Sequence, residues 1–212
     1  RAAAIMSIRA ADVVLSPSRA MRAEMVKEVP DAEAKTVVNP YGVDAARFRS
    51  GAREESPRPQ GPWRLFFPPH YAEHKNVGTL LRAVALLHAR GGRCVLETPA
   101  DPRPEDGRSV QAGREAALAE DLAANGLVSF TGEVPRSEMP ARYSAADLVV
   151  YPSVVESFGH PLVESMAAGL PVVAADVPIN REICAEAATY FSPFDEVDCA
   201  EAIERVLGDV DL

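Results

Sequence analysis

Two glutamates, Glu156 and Glu164, stand with seven residues between them in the stretch YPSVVESFGHPLVESMAAGLPVVA, residues 151–174. Carboxylates accept hydroxyl hydrogen bonds well, which is how proteins hold ribose and hexoses. Between the pair, Gly159 permits close approach of another molecule to the backbone. Pro161 stands where a first helical residue belongs, its missing N–H costing nothing there. Free amides of roughly residues 158–163, less the proline, then point out of a helix start and form an anion site. As plain helix-start acids the two glutamates would gain about 0.3–1 kcal/mol each from the helix dipole. Their setting between a strand end and a Gly-Pro turn favours acceptors for sugar hydroxyls instead.

The elements that must hold this turn can be read from the pattern of apolar residues. Short runs rich in β-branched residues at 13–15, 35–38, 64–67, 93–97, 128–131, 147–151, 171–174 and 189–191 predict buried strands. Helical stretches are expected at 77–90, stopped by Gly91-Gly92, and at 111–124, 137–144, 161–168, 179–184 and 197–207. Strand and helix alternate with short connections, which implies right-handed βαβ units. The predicted fold class is α/β: a doubly wound, Rossmann-like parallel sheet of six strands from Trp63 onward. Ligands in such sheets sit beyond the carboxyl ends of the strands. Residues 51–62, rich in Pro, Gly and charge, read as a linker or loop, and 99–107 as a surface excursion.

Composition narrows the partners. The chain has 212 residues, 47% hydrophobic and 25% charged, an ordinary globular balance that excludes disorder. Its 22 basic and 31 acidic residues leave a net charge of −9. An acidic chain gains nothing overall from counterion release, so nucleic acid is not an expected partner. Cys94, Cys184 and Cys199 form no C-x-x-C and have no His at ligand spacing beside them, so no disulfide framework and no metal site are expected. A reducing cytoplasm fits this cysteine usage. No apolar run reaches the length of a transmembrane segment.

The motifs resemble, in order, those of the retaining glycosyltransferases of family 4, which have the GT-B fold. Residues 156–174 are similar to that family's E-x7-E segment. VNPYGVD at 38–44, with Phe48, is similar to its N-G-V-D…F turn. FPPHYAEHKN at 67–76 is similar to its first strand and donor loop. FTGEV at 130–134 and YSAADLVVYPS at 143–153 complete the pattern, so that the resemblance covers nearly all of residues 12–208.

The resemblance implies a donor-binding domain for a nucleoside diphosphate-sugar (UDP-, GDP- or ADP-linked), which is a substrate; no cofactor is expected. It assigns Glu156 to the hydroxyls of the transferred sugar and Glu164 to the nucleotide ribose. The backbone of Ser157, Phe158, Gly159, His160, Pro161 and Leu162 falls on the diphosphate and sugar. Glu133 and Val134 fall beside the base, and Lys75 on the diphosphate. Lys75 and the helix amides would then be preorganised for the charge that develops on the leaving phosphate. Read without the resemblance, Lys75 is a solvated loop lysine. The family's usual Gly-Arg pair is replaced by Pro68-Pro69, so one guanidinium is missing from the diphosphate, and His70 or His74 could compensate in part. The ring of His160 either bonds sugar or phosphate or covers the helix start. Glu164→Ala is expected to weaken nucleotide binding and leave the fold intact.

Residues 1–50 are expected to be the end of an acceptor domain and the crossover into a donor domain at 63–212. On this reading the chain, which opens at Arg1 without an initiator Met, is a piece that binds nucleotide but transfers no sugar alone. The acceptor would be a polysaccharide or lipid-linked glycan at the inner face of the membrane, and any peripheral membrane contact would run through the absent N-terminal acceptor domain. The alternative from another class is a nucleotide-sugar-binding module with no catalytic role.

Overall fold

The computed structural model describes residues 2–49, 62–102 and 110–209. The linker expected over 51–62 lies, save Pro62, outside the described residues, as does most of 99–107.

All eight expected strands form: β1 (Val14–Ser16), β2 (Thr36–Val38), β3 (Trp63–Phe66), β4 (Cys94–Thr98), β5 (Val128–Phe130), β6 (Leu148–Tyr151), β7 (Val172–Ala175) and β8 (Ala188–Phe191). The last six make one parallel sheet in the order β5-β4-β3-β6-β7-β8. Numbered within the sheet this is 3-2-1-4-5-6, the order of a doubly wound Rossmann domain, whose direction of winding reverses between β3 and β6. The helices are α1 (Ala2–Ala10), α2 (Arg19–Glu28), α3 (Ala45–Arg49), α4 (Val77–Ala89), α5 (Val110–Ala124), α6 (Met139–Ala145), α7 (His160–Ala167), α8 (Pro178–Cys184) and α9 (Glu196–Asp209).

Successive strand residues point to opposite faces, and β3 supplies both cores in this way. Leu65 and Phe67 enter the larger cluster, where α4, α5 and α9 pack against the sheet with α9 lying along α4. Phe66 enters the smaller cluster with Phe48 of α3, Tyr143 and Ala146 at α6, and Val149 of β6. The central strand β6 is buried along its whole length, which is why it reads as an unbroken apolar run rather than an alternating one.

Within residues 2–49, β1 and β2 form a two-stranded parallel sheet outside the main sheet. Helices α1 and α2 bury no residue fully. The start of α2 is nonetheless fixed: the Ser18 hydroxyl accepts from the N–H of Met21 at 3.0 Å, and the Glu182 carboxylate of α8 accepts from the N–H groups of Arg19 and Ala20 at 2.7 Å each. An acid at a helix N-terminus satisfies its orphan donors and its dipole together.

Candidate functional site

At the reversal point the loops after β3 and β6 face one another, and polar contacts join them. The loop after β3 passes through buried Pro68 and Pro69 and an exposed His70 into a 3-10 turn over Glu73–Lys75. Asn76 then takes a left-handed conformation, φ 52°, at the start of α4, a region that asparagine tolerates better than most side chains. Its buried side-chain amide donates to the Pro152 carbonyl at 3.3 Å and its side-chain oxygen accepts from the Thr79 hydroxyl at 2.8 Å. The N–H of Val154 donates to the His74 carbonyl at 3.0 Å.

This seam delivers Lys75 to Glu156. Nζ lies 2.5 Å from Oε1, with the side chains only 18% and 11% exposed. The same oxygen accepts from the Tyr151 hydroxyl at 2.6 Å. Lys75 is therefore not the solvated loop lysine of the plainer reading.

Beyond Glu156 the chain turns into α7. Gly159 adopts φ 87°, ψ 57° as the residue before the helix, and a Cβ placed there would meet Leu162 Cδ1 at 3.1 Å. His160 and Pro161 are the first two helical residues, so the proline sits one place later than the sequence alone suggests. Among the described residues the N–H groups of Phe158, Gly159 and His160 have no acceptor. That of Leu162 does: it donates to the Gly159 carbonyl at 3.0 Å, while the Leu162 side chain is fully buried. The open amides therefore precede the proline, and Leu162 contributes packing. Glu164 lies one turn into α7, half-buried, and its Oε2 accepts from the Tyr143 hydroxyl at 2.9 Å.

The remaining expected residues fall into place unevenly. Phe158 is buried and Ser157 exposed, and the Ser157 carbonyl accepts from the Ser18 hydroxyl at 2.8 Å. The His160 ring stacks on Tyr41, centroids 5.0 Å apart and planes at 19°, and Tyr41 also meets Phe158 edge-on at 5.5 Å. Glu133, exposed, and Val134, half-buried, follow β5, two strands from the reversal point, and no hydrogen bond or ion pair joins them to Glu156 or Glu164. A cleft of about 290 Å³ lies elsewhere, against β3–β5 and α6, where Arg142 reaches Glu97 at 2.8 Å; it includes none of these residues.

Several contributors were given no role from the sequence. Tyr143 and Tyr151 bound the stretch YSAADLVVYPS and Tyr41 lies in VNPYGVD without any partner assigned, and Ser18 and Tyr41 are distant in the chain from the turn they support.

Residues 48–212 match the family described as glycosyl transferases group 1. The chain belongs to that family. Its relatives include the O-antigen chain mannosyltransferase RfbU of Salmonella typhimurium, 36% identical over 100 residues, a match covering 47% of this chain and 28% of the relative. The D-inositol 3-phosphate glycosyltransferase of Nocardia farcinica is 32% identical over 180 residues, covering 82% of this chain and 40% of that one. The chain thus spans less than half the length of these group 1 relatives. Among solved structures, Anabaena HepE in complex with UDP and glucose superposes on 100% of this chain and 57% of its own, with a TM-score of 0.77 at 20% identity. The six-stranded sheet of this group 1 chain is the Rossmann-like layer of GT-B glycosyltransferases. Among the described residues no helix is long and apolar enough to cross a membrane.

Proposed function

We propose that this chain carries the donor site of a retaining glycosyltransferase, which moves a sugar from a nucleoside diphosphate to a glycan or lipid-linked acceptor. The observation that carries the reading is the Lys75–Glu156 pair, set beside the open amides of Phe158, Gly159 and His160 at the reversal point of the sheet. A diphosphate at that helix start meets preorganised N–H groups and the positive end of the α7 dipole. Lys75, paired with Glu156 two residues before the first of these amides, would leave that carboxylate for the phosphate. Glu156 would then be free to accept hydroxyls of the transferred sugar, and Glu164 those of the ribose.

The chemistry follows from where charge develops. Cleaving the bond between anomeric carbon and phosphate oxygen leaves negative charge on the diphosphate. Donors already fixed there stabilise the transition state more than the bound substrate, and one of them is typically worth about 10²–10³ in rate. Pro68 and Pro69 supply no N–H and no cation, so in this chain Lys75 and the amides carry that task. The UDP and glucose in the HepE structure support a donor of this class. The relatives' names, an O-antigen chain mannosyltransferase and a D-inositol 3-phosphate glycosyltransferase, indicate that the acceptor varies within the family.

The test is a thermal-shift and calorimetric screen of the chain against UDP, GDP and ADP, with donor turnover and product anomer measured on the full-length enzyme. Binding of one nucleoside diphosphate, with an anomeric configuration in the product unchanged from the donor, is expected. A chain that binds none of the three overturns the proposal, and an inverted product removes the retaining mechanism.

A further inference from the structure

Each of the two site carboxylates is held from within the protein by a buried tyrosine. Tyr151, the last residue of β6, donates to Glu156 Oε1, and Tyr143, in α6, donates to Glu164 Oε2. Both side chains are fully buried. The Tyr151 ring meets Phe67 edge-on at 6.0 Å within the larger core. The Tyr143 ring is held between Phe48 and Phe66, at 5.6 Å and 5.3 Å, within the smaller one. Neither ring can shift without repacking its cluster, so each phenol is a donor at a fixed place.

A carboxylate has two oxygens, and in both glutamates the bonds fall on one of them. Glu156 Oε1 takes Lys75 and Tyr151 together, and Glu164 Oε2 takes Tyr143. Among the described residues Glu156 Oε2 and Glu164 Oε1 have no partner. We infer that Tyr151 and Tyr143 are positioning residues of the donor site, each pinning one oxygen of its glutamate and leaving the other for a ligand hydroxyl. This rests on the reading of the site given above. Burial, and next the facing carboxylate, raise both phenols well above the usual tyrosine range, so they remain donors at any pH at which a glycosyltransferase works.

The two props serve different parts of the donor, and that separates positioning from packing. The experiment compares Tyr151→Phe, Tyr143→Phe and the unaltered full-length enzyme. It reads the affinity for whichever of UDP, GDP and ADP binds the unaltered enzyme tightest, the kcat and KM for the matching sugar donor, and the melting temperature. Tyr151→Phe is expected to leave nucleoside diphosphate affinity within about twofold while kcat falls about tenfold, the size of one hydrogen bond to a charged group. Tyr143→Phe is expected to weaken nucleoside diphosphate binding about tenfold with kcat at saturating donor nearly unchanged. Combining Tyr151→Phe with Glu156→Gln should cost less than the product of the two single losses, because both act on one carboxylate.

Two Phe variants that keep wild-type affinity and kcat overturn the inference while leaving the donor site standing. So do variants that lose both quantities in step with a fall in melting temperature, which is the mark of a purely packing role. An unaltered enzyme that binds no nucleoside diphosphate removes the donor site itself, and the inference with it.

Discussion

The Lys75 ammonium and the Glu156 carboxylate, 81 residues apart in the chain, meet at 2.5 Å across the reversal point of the sheet. The pair is mostly shielded from solvent, so each charge depends on the other more than a surface pair would. In the proposed cycle a diphosphate takes over the lysine and the sugar takes over the carboxylate. Lys75→Ala is therefore expected to lower the transfer rate about 10²–10³-fold. It should also lower the melting temperature, because Glu156 loses its counter-charge. Single-turnover transfer by the full-length enzyme, measured beside a melting curve, checks both.

The outcome at Glu164 depends on what replaces it. Alanine leaves the Tyr143 hydroxyl to donate to the more distant Pro161 carbonyl at 3.4 Å, and a buried hydroxyl that loses its main acceptor costs about 1–3 kcal/mol. The fold is thus not indifferent to Glu164→Ala, contrary to what the sequence alone suggests. Glu164→Gln keeps an acceptor for the phenol. It should retain the wild-type melting temperature and weaken nucleoside diphosphate binding about tenfold, since the hydroxyl bonds lose their ionic partner. Equal affinity for Glu164→Gln and wild type would remove the ribose assignment.

Gly159→Ala tests the turn. An L-residue at φ 87° costs about 1–2 kcal/mol, and its Cβ presses on Leu162 at 3.1 Å. In a domain of this size that is a fall of a few degrees in melting temperature. The larger effect should be on nucleoside diphosphate affinity, because the methyl group stands among the open amides. A variant that melts lower yet binds as tightly would show that the backbone here does not touch the ligand.

The buried thiols set an alkaline limit. Burial raises Cys94 and Cys184 from the ordinary 9.0 to about 11 and Cys199 higher still. Above pH 9 the unfolded chain has shed protons that the folded chain still holds, so stability falls as pH rises from about 9 toward 11. Below 9 these groups leave it unchanged. Urea melts between pH 7 and 10.5 should show this decline, and replacing Cys94 and Cys184 by Ala should make it shallower, with Cys199 maintaining the remainder. Near pH 8 all three thiols should resist a disulfide reagent until the chain is unfolded.

Every strand was legible because its evidence is local: β-branched runs such as residues 148–151 have few other ways to hide. The turn at 156–164 was legible for a similar reason, since its acids, glycine and proline are close in the chain. Helices α1 and α2 were not. They have no deeply buried stripe to give a 3.6-residue period, and the start of α2 is held by Glu182, more than 160 residues away. The partner of the Leu162 amide was not legible, because the carbonyl that accepts it belongs to Gly159, whose left-handed conformation sets its direction. Tyr143 and Tyr151 were visible in the stretch at 143–153 but without a role, because the partner of a tyrosine hydroxyl is a tertiary fact.

The Ser18 hydroxyl grips the Ser157 carbonyl across 139 residues. Chain segments so remote pay the full entropy of loop closure before their contact rewards them. The nascent sheet can therefore assemble while residues 152–159 still wander, and that loop should be among the last to acquire native order. Refolding followed by nucleotide capture should lag behind refolding followed by tryptophan emission from Trp63, and Ser18→Ala should lengthen the delay.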